Sequence, residues 1–89
     1  MRAVEVRVHG RVQGVWFRGS TRDEARRLGH AGWVSNRDDG TVQARLQGDP
    51  AAVEAMVAWC RIGPPGAEVT RLDVEDAEAD DTLSEFRIR

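Results

Sequence analysis

The alternation Val4, Val6, Val8 breaks at Gly10, and from Phe17 the apolar residues recur at helical spacing through Thr21, Ala25 and Leu28. A period of two that yields to one of 3.6 across a short glycine-bearing link specifies a strand, a loop and a helix in direct succession. Residues 3–9 are read as the strand, with Glu5, Arg7 and His9 opposite the valines, and residues 10–16 as the loop. The helix keeps Arg22, Asp23, Arg26 and Arg27 on its wet side, and Gly29 and Gly32 end it. A loop of this kind bares a row of backbone N–H groups at the positive end of a helix dipole, a setting for an anion and above all for phosphate. Arg18 stands where the helix begins. A cation there is unfavourable to the dipole by roughly 0.3–1 kcal/mol unless an anion lies between them. In isolation the segment also fits a plain tight connection, since it is neither the dinucleotide fingerprint nor the Walker A pattern.

The remaining periodicities complete a fold. Trp33–Asn36 is a short strand, Asp38-Asp39-Gly40 a tight turn, and Thr41–Gln47 an alternating strand with Val42, Ala44 and Leu46 inward, so the two strands form a hairpin. Asp49 is placed to cap a second helix with Pro50 at its first position, and Val53, Met56, Val57 and Cys60 form its buried stripe. Gly63-Pro64-Pro65-Gly66 stops it. Val69–Glu75 is a further strand, irregular because Val69 is out of parity with Leu72 and Val74. An acidic run, Glu75, Asp76, Glu78, Asp80 and Asp81, reads as a solvated loop before a short closing strand at Phe86–Ile88. The order β-α-β-β-α-β, with a small extra strand, predicts an α+β ferredoxin-like sandwich: an antiparallel sheet with two helices on one face.

Composition narrows the function classes. The 89 residues make one domain, 1–89, and a chain this size buries roughly 60% of its unfolded surface in a single core. A net charge of −2 argues against a nucleic-acid binder, and the strands Val4–His9 and Thr41–Gln47 lack the aromatics an RNA reader of this topology stacks on bases. No apolar run approaches 18 residues and Met1-Arg2-Ala3 begins no signal-peptide pattern, so a soluble cytoplasmic chain without membrane partners is expected. The single cysteine, Cys60, excludes an internal disulfide and a cysteine-based zinc site, and its helical register places it in the core. All 13 basic residues are arginine, which leaves no lysine for a Schiff base or a P-loop. His9 and His30 fit surface positions and have no metal-ligand spacing. The chain has one asparagine, Asn36, near the end of its strand; by itself it fits a residue entering the Arg37–Gly40 turn.

Taken together, Gly10–Arg18 (GRVQGVWFR) and Gly32–Val42 (GWVSNRDDGTV) resemble the acylphosphatase family, as do the GPPGAEV connection and the closing FRIR. The resemblance implies hydrolysis of a small-molecule acyl phosphate to a carboxylate and inorganic phosphate, with phosphate as product and inhibitor. It assigns Arg18 as the phosphate-binding arginine and Asn36 as the water-orienting residue. The backbone amides of Gln13, Gly14, Val15, Trp16 and Phe17, running up to Arg18, become the phosphate cradle.

The chemistry is consistent with those roles. A carboxylate leaves without a protein acid, so positioning and charge stabilisation are what the protein must supply. A guanidinium reaches phosphoryl oxygens bidentately, and a carboxamide, too weak to be a base, holds a water in line. The scheme requires no metal and no cofactor. Two points stay open: the Trp16 ring either lines the acyl side of the pocket or, as favoured, packs against a helix, and Ser35 faces either side of the sheet. A carbamoyl-phosphate-type domain within a larger enzyme is the rival reading. A free-standing hydrolase is expected because the chain begins and ends with this domain and has no zinc-finger cysteines, and a monomer is expected.

Overall fold

The structure, a computed structural model, describes residues 1–89. Its elements are β1 (Arg2–Arg11), α1 (Phe17–Arg27), β2 (Ala31–Asn36), β3 (Val42–Gly48), α2 (Pro50–Ile62), β4 (Glu68–Ala77) and β5 (Phe86–Ile88). They build a ferredoxin-like α+β fold around a five-stranded sheet in the order β4-β1-β3-β2-β5. Val4, Val6 and Val8 are fully buried and meet Val34, Val42, Ala44 and Leu46 on the face the helices cover. Phe17 and Ala25 descend from α1, and Val53, Met56, Val57 and Cys60 from α2, to close one core.

The first four strands are antiparallel, as expected, but β5 runs parallel to β2 at the sheet edge. The reason is topological. The segment after β4 crosses from one edge of the sheet to the other along a single end, past Gln47. Strand β5 therefore starts at the end where β4 finished and runs opposite to β4, which is the direction of β2. Arg26 ties this edge to α1 by donating to the Phe86 carbonyl at 3.0 Å.

The parity break at Val69 is a β-bulge. His9 pairs with Arg71 and Gly10 with Val69, so Thr70 is left without a partner and the strand changes face. Gly10 therefore belongs to β1 rather than to the loop, with φ of 120°, and a Cβ there would overlap the Glu68 carbonyl oxygen. Gly32 likewise lies inside β2, paired with Leu46, and does not end α1, which gives way to Leu28 and Gly29. The acidic run is only partly loop: Glu75 and Asp76 sit on β4, and the Asp80 backbone exchanges hydrogen bonds with the Gln47 side chain at 2.8 and 2.9 Å.

Three chain segments converge at one end of the sheet. The pairing of Val8 with Val42, and of Val42 with Asn36, sets the exit of β1, the start of β3 and the end of β2 side by side. The loop into α1 departs from that end.

Candidate active site

The segment from Gln13 to Gly19 is where the chain leaves its own backbone donors unused. None of the amides of these residues donates to a protein acceptor. Trp16 is the N-cap of α1, but it contributes no side-chain cap, and the first turn carries no acidic residue. Its φ of 63° and ψ of 27° put it in the left-handed region, the one residue other than glycine found there. For a bulky side chain that conformation costs on the order of 1–3 kcal/mol and persists only where the surroundings enforce it. Gly14, at φ of 76°, gives the same loop its second left-handed position. The result is a concave run of N–H groups at a helix N-terminus, with its dipole uncompensated by the chain.

Arg18 is exposed and makes no ion pair or hydrogen bond with the protein. Most other arginines are engaged, for example Arg27 with Glu24, Arg71 with Asp73 and Arg45 with Glu5. Arg11, Arg26, Arg37, Arg61 and Arg89 are also free of carboxylates, but among the arginines only Arg18 borders the cleft in which Asn36 lies.

Asn36 reaches that cleft through strand parity. It lies on the same face of β2 as the buried Val34, whereas Ser35 shares the opposite face with Trp33 and donates its hydroxyl to the Asn36 carbonyl at 3.2 Å. The Asn36 side chain thus projects toward the helix-covered side, where α1 begins. Its Oδ1 is buried and has no hydrogen-bond partner. An unpaired buried amide oxygen costs about 1–3 kcal/mol.

The cleft between them has a volume of about 360 Å³. Gly14, Trp16, Phe17, Arg18 and Gly19 border it from the loop and helix, with Asn36 and Ile88 on the sheet side. Gln13 and Val15 do not line it. Val15 packs against the core, and the Gln13 side chain turns to the hairpin, donating to the carbonyls of Arg37 at 2.8 Å and Thr41 at 2.9 Å. That side chain was not assigned a role from sequence, yet it fastens the loop to the turn that follows Asn36. The turn is itself held by Asp39, which accepts from the Thr41 hydroxyl at 2.6 Å and amide at 3.0 Å. Those bonds lower the Asp39 carboxyl below its ordinary pKa.

The acylphosphatase family profile matches residues 4–88. The chain belongs to the acylphosphatase family. It is 52% identical over 80 residues to the acylphosphatase of Thiobacillus denitrificans, covering 90% of each chain. It is 48% identical over 88 residues to that of Methylococcus capsulatus, covering 99% of this chain and 96% of that one. The crystal structure of the Bacillus subtilis acylphosphatase superposes with a TM-score of 0.95 at 36% identity, covering 100% of this chain and 99% of that one.

Other groups of the chain lie outside the cleft. Cys60 is fully buried, and burial pushes its thiol pKa up to about 12, far from a nucleophilic thiolate. His9 joins Asp73 at 2.9 Å on the sheet face away from the helices, where Arg71 and then His9 hold the Asp73 carboxyl at about 2. His30, which suited a surface position from sequence, is buried at the far end of α1 with neither ring nitrogen hydrogen-bonded. Burial lowers its pKa, and the nearby Ala25 carbonyl offsets only part of that effect. No helix is long and apolar enough to cross a membrane.

Proposed function

We propose that the cleft hydrolyses acyl phosphates by in-line attack of a water oriented by Asn36 on a phosphoryl group held by Arg18 and the amides of the Gln13–Phe17 loop. The observation that carries the reading is the buried, unpartnered Oδ1 of Asn36 in the same cleft as the unpaired Arg18 guanidinium. An unpaired acceptor in a cationic, donor-rich cleft suits a small species that both donates and carries a nucleophilic oxygen, which is water. The water oxygen forms a bond to phosphorus as the bond from phosphorus to the acyl oxygen breaks. The electron pair leaves on the carboxylate, and the water's proton passes to the substrate's own phosphate or to solvent.

Charge on the equatorial oxygens of a loose phosphoryl-transfer transition state meets the guanidinium fork and the loop amides. These donors are fixed before reaction, by the helix on one side and by Gln13 on the other, so they need no reorganisation. Inorganic phosphate carries the same recognised group and is the expected competitive inhibitor. The chain is taken to act as a monomer in the cytoplasm, a reducing setting that suits its single free cysteine.

The test is phosphate release from acetyl phosphate by the parent and by Asn36→Ala, with and without chelator. Turnover should be indifferent to the chelator and fall by about 10²–10³ in the variant while the circular dichroism spectrum stays the same. Full activity in Asn36→Ala would remove the water-orienting role, and loss on chelation would remove the metal-free scheme.

A further inference from the structure

Trp16 is the large aromatic side chain that the fold leaves in the open. It is 66% exposed, whereas Phe17 and Phe86 are buried and Trp59 sits edge-to-face on Phe17 with centroids 5.6 Å apart. Its placement is nonetheless enforced. The backbone is left-handed at this residue, and the indole lies so close over Gly19 that a Cβ there would overlap Cδ2, Cε2 and Cζ2. Gly19 is thus a site of close approach, and the helix offers the ring a flat bed one turn in.

Trp16 also borders the cleft shared with Arg18 and Asn36. Direction follows from the chemistry proposed above, on which this inference rests. In-line displacement puts the attacking water and the leaving acyl group on opposite sides of phosphorus. Asn36 borders the cleft from the sheet and Trp16 from the loop and helix, so an acyl group leaving opposite an Asn36-held water departs toward Trp16. We propose that Trp16 is a specificity-determining residue that selects acyl phosphates with a flat, aromatic acyl group by stacking that group on its indole. Backbone amides and a guanidinium read only the phosphate, and no polar side chain on the helix side of the cleft other than Arg18 is placed to read the acyl part. An aromatic platform discriminates by shape and polarisability, favouring offset or edge-to-face rings over a methyl group.

The experiment compares kcat/KM for benzoyl phosphate and acetyl phosphate in the parent, Trp16→Phe and Trp16→Asn. Asparagine tolerates the left-handed backbone, so the loop keeps its course without the ring. The benzoyl-to-acetyl ratio should fall about tenfold in Trp16→Asn, carried mostly by KM, and less than about threefold in Trp16→Phe. A ratio unchanged in Trp16→Asn, whatever the loss on both substrates, overturns the proposal and makes the ring a cover for the helix start. If the parent turns over neither substrate, the hydrolytic reading of the site fails instead, and binding decides the stack. Phenylphosphonate should then bind about tenfold more tightly than methylphosphonate and lose that advantage in Trp16→Asn. Equal affinities for the two in the parent overturn it.

Discussion

Each helix starts shortly after a strand, yet the two starts are built in opposite ways. At α2, Asp49 accepts from the Ala51 amide at 3.2 Å, and Pro50 at the first position has no N–H to satisfy. At α1 no side chain caps, no acid occupies the first turn, the N-cap is strained, and a free arginine stands at the second helical residue. Local chemistry stabilises the first start and leaves the second in deficit. A helix end whose donors are satisfied by its own chain serves the fold, whereas one left with free donors and an added positive charge is a setting for an anion.

The largest effect that sharpens this contrast should come from Arg18→Ala, which takes away the proposed bidentate phosphate donor and should lower kcat/KM by at least about 10²–10³. Steady-state assays with acetyl phosphate check it, and an unchanged value would make the α1 start no more functional than the α2 start.

Next comes linkage. Inorganic phosphate at 100 times its Kd should raise unfolding free energy by about 2.7 kcal/mol in the parent. Urea titrations should show that increment abolished in Arg18→Ala and intact in Asp49→Ala, and equal increments in the two variants would break the comparison. Asp49→Ala itself should cost about 0.5–2 kcal/mol of stability with turnover per folded molecule unchanged.

The smallest effect lies at the other end of α1. Burial disfavours the protonated imidazole of His30 in the fold, so the unfolded chain takes up this proton more readily. Stability is therefore fully present above the unfolded pKa of about 6.5 and declines as pH falls from there toward the lower folded value. The loss should be at most about 1 kcal/mol between pH 6.5 and 5.5, and His30→Leu should flatten it in urea titrations at the two pH values.

These contrasts were unequally legible from the residues. Asp49-Pro50 is a local signature whose meaning lies within a few residues, and the structure uses it as such. The stripe Val53, Met56, Val57, Cys60 and the valines of β1 are likewise periodic signals that needed no partner to be read. The irregularity at Val69 was visible, but its form depended on which strand lay beside it, and only the pairing with β1 identifies the bulge at Thr70, opposite His9 and Gly10. Gly32 read as a helix stop because a glycine after a helix resembles a terminator, whereas its place inside β2 is set by pairing with Leu46. The burial of His30 and the tie from Gln13 to the hairpin had no sequence signal, since each depends on a residue remote in the chain.

By itself, the sequence determined the element order, the faces of the main strands and the capping of α2, and its two motifs pointed to the family. Each of these is written in residues close together, where period and backbone preference act. Only the tertiary structure decided that the α1 start and the end of β2 share one cleft, that Asn36 faces the helix side with its oxygen unpaired, and that β5 runs parallel to β2. Those outcomes follow from register and from how crossovers bring distant strands together, and no local propensity encodes them.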